Sequence, residues 1–238
     1  MSELVHEGNI FILYIPIGFT VSKVAEINSL LDIVESHEGP TALIITSKNH
    51  KIFSAGMDLK EILKEGGTAE AAARVFIALM KLYGRLLAFK VPTIGALNGH
   101  TIAGGLMFAL SLDYRIMARG KSTLKMTELP LGMVLPRGGD IVLTTKLPPT
   151  VHRDLVLKGK SFSCEEGLSS SIIDELVEPQ DLMRRARELA NELSALGDKK
   201  DVYMCVKKSM YYDSIETSLE AKYSRAEWKA MGEEEPKL

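Results

Sequence analysis

Thr93-Ile94-Gly95-Ala96-Leu97-Asn98-Gly99-His100-Thr101-Ile102-Ala103-Gly104-Gly105, running straight into Leu106-Met107-Phe108-Ala109-Leu110-Ser111-Leu112, is the stretch on which the fold turns. Thr93–Leu97 reads as a strand, Gly99–Gly105 as a turn-rich loop, and Leu106–Leu112, apolar all round, as a buried helix. Two glycines at a helix N-terminus leave unpaired N–H donors at the positive end of the helix dipole. Such a place suits an oxygen that gains negative charge; it equally suits close packing of helix on strand. Working outward, Tyr114–Ala118 returns as a strand. Pro92 closes a long helical pattern over Thr68–Phe89, in which Gly84 is a weak spot. Upstream, Asn9–Ile15 reads as a first strand and Ser22–Val34 as a helix with Ser22 at its N-cap. Ala42–Thr46 follows the Gly39-Pro40 break as a short continuous apolar run, the pattern of a strand covered on both faces.

Strands alternating with helices imply βαβ units with right-handed crossovers, hence an α/β core. Beyond about residue 178 the strand signal stops, and Gln180–Leu196, Lys199–Tyr211 and Ser214–Met231 all carry helical patterns. The expected layout is a core over 1–178 and a helical region over 179–238. Formal net charge is −2, which gives no electrostatic footprint for nucleic acid or membrane. No apolar run reaches the length of a membrane helix, and Met1–Gly8 lacks the character of a secretory signal. Cys164 and Cys205 have neither CxxC nor Cys/His spacing, so both read as structural thiols in a reducing compartment.

A second loop, Phe53-Ser54-Ala55-Gly56-Met57-Asp58-Leu59, follows the Ala42–Thr46 strand. Its small residues let backbone approach a ligand and turn sharply, and freed N–H groups there can face an anion. It is also readable as an ordinary strand-to-helix turn, with Asp58 near a helix start. A third segment runs from Leu157-Lys158-Gly159 through Phe162-Ser163-Cys164-Glu165-Glu166-Gly167-Leu168 to Ile172-Ile173-Asp174.

In order and spacing, the two loops, the helix ending in Asp113-Tyr114-Arg115, and this third segment resemble the crotonase (enoyl-CoA hydratase/isomerase) superfamily from about Ile10 to Val177. The resemblance implies a crotonase (ClpP/crotonase-like) α/β fold, a ββα spiral core with a C-terminal helical trimerisation region. It places an oxyanion hole at the N–H groups of Met57 and Gly104, each donor of this kind being worth roughly 3–4 kcal/mol. It places the CoA channel along Ala55, Gly56, Met57, Asp58 and Leu59. Family hydratases use two glutamates. The first position is Met107 here, which cannot act as a base; the second is Glu128. Hydration asks for a group on the water and another on the neighbouring carbon, whereas moving a double bond from C3 to C2 needs one base. The pattern therefore resembles a Δ3,Δ2-enoyl-CoA isomerase with Glu128 as base, its pKa raised by apolar neighbours such as Met107 and Leu129.

Further expectations follow from the resemblance. CoA arrives as part of the substrate, with no metal and no redox cofactor. The assembly is a homotrimer or hexamer, with Trp228 buried against a neighbouring subunit. Lys207 or Lys208 reaches the CoA phosphates or forms a solvated basic face; Arg74, Lys81 and Arg85 are lesser candidates. His100 fixes its loop, Asp58 anchors its loop, and Asp113 ends the buried helix. Pro236-Lys237-Leu238 resembles a peroxisomal address read by an import receptor. Met133–Pro149 departs from the family's glycine segment, keeping only Pro136-Arg137-Gly138-Gly139, so acyl specificity there is open. Alternatives are another crotonase-type reaction (hydratase or thioester hydrolase) and a non-catalytic acyl-CoA-binding protein.

Overall fold

The computed structural model describes residues 2–230. It opens with a hairpin, β1 (Glu3–Glu7) and β2 (Ile10–Ile15), joined by Gly8-Asn9. Gly8 has φ +60, as a tight hairpin turn requires. After β3 (Gly18–Phe19) comes α1 (Val21–Ser36). The N-cap of this helix lies two residues earlier than expected, at Thr20 rather than Ser22. The Thr20 hydroxyl accepts from the Lys23 N–H at 3.2 Å, and Ser22 hydrogen-bonds to that same hydroxyl.

Three passages then repeat one plan: a strand in a large sheet, a strand in a small sheet, then helix. The first is β4 (Ala42–Ser47) and β5 (Ile52–Ser54), followed by the short β6 (Gly56–Met57), α2 (Leu59–Lys64) and α3 (Ala69–Leu87). The second is β7 (Thr93–Leu97), β8 (His100–Ile102) and α4 (Gly104–Leu110). The third is β9 (Tyr114–Ala118), β10 (Thr123–Lys125), α5 (Arg137–Lys146) and α6 (Pro149–Val156). Strand β11 (Phe162–Ser163) pairs antiparallel with β10; α7 (Cys164–Ser169) and β12 (Glu175–Val177) follow. The described chain ends in α8 (Leu182–Ser194), α9 (Lys200–Met210), α10 (Tyr212–Glu220) and α11 (Arg225–Ala230). The single helix expected over Ser214–Met231 is thus two, broken at Ala221 with φ +40; Met231 lies outside the described residues.

The large sheet runs β1-β2-β4-β7-β9-β12, parallel except for the β1–β2 hairpin, and the small sheet runs β11-β10-β8-β5. Strand alternation divides the core. Ile10, Ile12, Ile44, Ile94 and Ile116 face α8, where Ala186, Leu189 and Ala190 meet them. Phe11, Leu13, Leu43 and Ile45 face the opposite core, shared with α1, α3 and α4. Both faces of β4 are covered, which is why Ala42–Ile45 is continuously apolar and Thr46 and Ser47 are buried as well.

The last helices fold back over the core, with α10 packed on α3 and α5. Gly84, a weak point for helix propensity, is where α10 comes close: a Cβ there would lie 3.1 Å from Leu219 Cγ. Trp228 buries within its own chain instead of against a neighbour. It is 2% exposed, its ring 5.1 Å from that of Tyr223, which in turn meets Phe76 on α3. No helix of the described residues is long and apolar enough to cross a membrane.

Candidate active site

The two loops touch each other through backbone. Gly56 has φ +80, and a Cβ on it would sit 2.7 Å from the Gly104 nitrogen. A Cβ on Gly105 would sit 2.5 Å from the Ser54 carbonyl oxygen. Only glycine allows this approach. Between them, Ala103 caps α4 with φ 52 and ψ −126, a conformation that costs an alanine strain. It is held on both sides: its N–H donates to Lys125 O at 2.9 Å, and the Leu106 and Met107 N–H groups donate to its carbonyl. Gly104, the first residue of α4, has no carbonyl four residues back within the helix to accept its N–H. Tyr83, fully buried on α3, donates its hydroxyl to Gly104 O at 2.8 Å and so holds the next peptide unit, Gly104–Gly105.

Beside this contact lies a narrow cleft. Met57, Ala55 and Leu59 from the first loop, Ala103 and Gly104 from the second, and Glu128 all line it. Gly56 and Asp58 stand outside the lining. Gly56 is the hinge against Gly104. Asp58 caps α2 by accepting from the Glu61 N–H and pairs with Lys23 at 2.9 Å, which holds its carboxyl below the usual range. Its carboxylate is committed to the loop.

Glu128 stands just ahead of the 3-10 turn Leu129–Leu131 and is 6% exposed. Burial pushes its carboxyl pKa up, and the Thr127 N–H, donating to Oε2 at 2.9 Å, offsets part of that rise. The turn fixes its backbone through Leu131 and Met133 N–H groups donating to Glu128 O. Burial also raises the Tyr83 hydroxyl pKa, and the Glu128 charge adds to it. Met107, where a second acid is absent, is fully buried; its sulfur would lie 3.1 Å from a Cβ on Gly139 of α5.

The other candidates are engaged elsewhere. Asp113 accepts from Thr93 N–H and hydroxyl and from the Tyr203 hydroxyl, and pairs with Lys207 at 2.8 Å. Lys207 also donates to Leu86 O and is 4% exposed, so it anchors α9 to the core and is no cation for a phosphate. Arg85 is spent on Asp32 and Glu35, and Arg74 on Glu65 and Glu70. His100 Nδ1 lies 3.0 Å from the Thr123 hydroxyl and accepts the Thr123 N–H, tying its strand to β10. Cys164 is buried, with its thiol on Gly120 O; Cys205 is exposed.

Sequence reading missed several residues of the cleft: Phe76, Thr127, Leu131 and Met133. Phe76 and Tyr83 share the apolar face of α3 at helical spacing, so their signal was indistinguishable from core. Glu128 and Met133 also border a second cavity of about 560 Å³, walled by Met126, Leu135, Val156 and their neighbours.

The family model described as enoyl-CoA hydratase/isomerase matches residues 18–233. Enoyl-CoA delta isomerase 3 of Arabidopsis thaliana is 30% identical over 219 residues, 89% of this chain and 92% of that one. Enoyl-CoA delta isomerase 2, peroxisomal, of the same plant is 30% identical over 221 residues, with the same coverage. A carnitinyl-CoA dehydratase of Salmonella arizonae is 35% identical over 151 residues, 63% of this chain and 56% of that protein. Among solved structures, an enoyl-CoA hydratase/isomerase family protein of Pseudomonas syringae superposes with TM-score 0.82 at 24% identity, covering 92% of this chain and 95% of that one. An enoyl-CoA hydratase of Mycobacterium ulcerans does so with TM-score 0.81 at 24% identity and the same coverage. The repeated strand-strand-helix plan, the match to the family model and the isomerase relatives together show that this chain has the crotonase fold and belongs to the enoyl-CoA hydratase/isomerase family.

Proposed function

We propose that this enzyme is a Δ3,Δ2-enoyl-CoA isomerase working with one carboxylate base. The observation that carries the reading is the cleft itself: among the described residues Glu128 is the one acid lining it, and it shares the cleft with Met57 and Gly104. Glu128, ionised, takes a proton from C2 of a 3-enoyl thioester. The C2–H electron pair forms a C1–C2 double bond as the carbonyl pair moves onto the thioester oxygen, giving a dienolate conjugated with the C3–C4 double bond. The Met57 and Gly104 N–H groups hydrogen-bond that oxygen as its charge grows. Glu128 then returns the proton to C4, the charge withdraws, and the double bond rests between C2 and C3. Atoms balance with no second reactant. Phe76, Leu131 and Met133 surround the path with apolar surface, which keeps water from the dienolate and raises the basicity of Glu128.

The Arabidopsis relatives, named as isomerases over most of their length, support this reading. Hydration is the competing reaction, favoured by the dehydratase relatives, but Met107 supplies no second acid. CoA enters with the substrate and no other cofactor is called for. The proposal extends to a peroxisomal site of action, supported by the name of one relative and by Pro236-Lys237-Leu238, which lies outside the described residues. It also extends to a homotrimer or hexamer. Val202, Val206 and Met210 leave an exposed apolar stripe on α9 that an assembly of copies would cover.

The test offers the native enzyme a 3-enoyl-CoA and, separately, a 2-enoyl-CoA. Isomerisation gives rising ultraviolet absorbance from the first and no free thiol from either. Loss of conjugation from the second would make it a hydratase, and free thiol a hydrolase.

A further inference from the structure

The cavity beyond Glu128 is mostly apolar, walled by Met126, Leu129, Leu135 and Val156 among others. Besides Glu128 at its near end, polar side chains enter it from two helices: Asp140 and Thr144 from α5, and His152 and Arg153 from α6. His152 Nε2 lies 2.7 Å from Asp140 Oδ1, and their side chains are 22% and 36% exposed. The Thr144 hydroxyl lies 3.5 Å from Asp140 Oδ2. Arg153 is paired with Asp154 at 2.9 Å. The second ring nitrogen of His152 has no protein hydrogen-bond partner among the described residues.

A plain hydrocarbon tail filling this cavity would strip water from Asp140 and from the second nitrogen of His152 and give them nothing in return, which is unfavourable. A terminal carboxylate would meet the Asp140 charge. A hydroxyl fits either need, since it can donate to the carboxylate or to the second ring nitrogen, which accepts when the Nε2–H faces Asp140. Pockets with mostly apolar walls and a few convergent polar groups use those groups to set orientation and selectivity. We infer that the Asp140–His152 pair makes this cavity selective for acyl-CoA chains that carry a hydroxyl on their distal part. This inference rests on the acyl-CoA reading of the cleft.

The experiment is calorimetric titration of the native enzyme with saturated acyl-CoA esters from hexanoyl to dodecanoyl and with their ω-hydroxy counterparts. These probes lack a C3 double bond, so binding is read apart from any isomerisation. At one chain length or more the hydroxy ester binds roughly three- to tenfold tighter than the plain ester, the gain of one partly buried hydrogen bond. In His152→Leu that ratio falls to one or below; in His152→Gln, which keeps a hydrogen-bonding head, part of it survives. Plain esters binding as tightly as hydroxy esters at every length would overturn the inference while leaving the acyl-CoA reading in place. A preference undiminished in His152→Leu would also overturn it. No binding of any ester would overturn both.

Discussion

Replacing Gly56 with alanine puts a methyl group between the two halves of the proposed anion site. The new Cβ would lie 2.7 Å from the Gly104 nitrogen, 3.1 Å from Gly104 Cα and 3.3 Å from the Gly105 nitrogen. Ordinary contact begins near 3.4 Å, so the loops must separate by roughly 0.7 Å. The atoms that resist are backbone, held by Tyr83 on Gly104 O and by the Ala103–Lys125 hydrogen bond, so no flexible side chain can yield. The φ of +80 adds about 1–2 kcal/mol of strain for any L-side chain. Losing the aim of one oxyanion donor costs about 10²–10³ in rate, and displacements of this size act on the same scale. The expectation is a fall in kcat of about a hundredfold. The assay is conjugated-product formation from a 3-enoyl-CoA, run beside a urea melt. Gly8→Ala is the control, because it has φ +60 with open space around its Cβ and sits in a remote hairpin. It carries the backbone strain without the clash, loses less stability and keeps its rate. A Gly56→Ala enzyme within threefold of native kcat would refute the claim that this contact sets the anion site.

Three further outcomes follow from the same geometry. Ala103→Gly relieves a backbone conformation costly for alanine and raises unfolding free energy by about 1 kcal/mol in urea melts; a loss would refute the strain. Lys207→Met leaves the largely enclosed Asp113 carboxylate without its cation and lowers stability by about 3 kcal/mol; a neutral result would mean the pair does not hold α9. Burial raises the Glu128 pKa, so its ionisation costs the folded state stability as pH rises from the unfolded-state carboxylate value through the folded one. Glu128→Gln is therefore more stable than native at neutral pH, and the gap closes as pH falls below ~4, where both states of the native chain become protonated. In native enzyme the rising limb of kcat/KM lies above the ordinary carboxylate range; a limb within that range would place the base elsewhere.

How much of this was legible in the sequence depends on element length. β2, β4, β7 and β9 are mostly apolar strands of five or six residues, and α3 shows helical spacing over 19 residues, so pattern sufficed. β3, β6, β8 and β10 are two or three residues long, too short for any period to register, yet they carry the loops to the cleft. β1 escaped because it is an edge strand with mixed exposure. The break at Ala221 has no glycine or proline to announce it. The catalytic candidates Met57, Gly104 and Glu128 came from the resemblance in order and spacing of the surrounding segments, because local patterns alone read equally as ordinary turns and a surface carboxylate. The roles of Lys207 and Trp228 were not legible, because Asp113 and Tyr223 become their partners only through tertiary packing. Asp140 and His152 stand on different helices and meet only where α5 packs on α6.

The most direct test of the account is the rate of conjugated 2-enoyl-CoA formation from a 3-enoyl-CoA by native enzyme and by Glu128→Gln, with acyl-CoA affinity measured for both. The account predicts that the native enzyme turns over. It predicts that the variant loses about 10²–10⁴ in kcat, the usual contribution of a positioned general base, while still binding the thioester. A variant within tenfold of native, or a native enzyme that binds but forms no conjugated product, would contradict it.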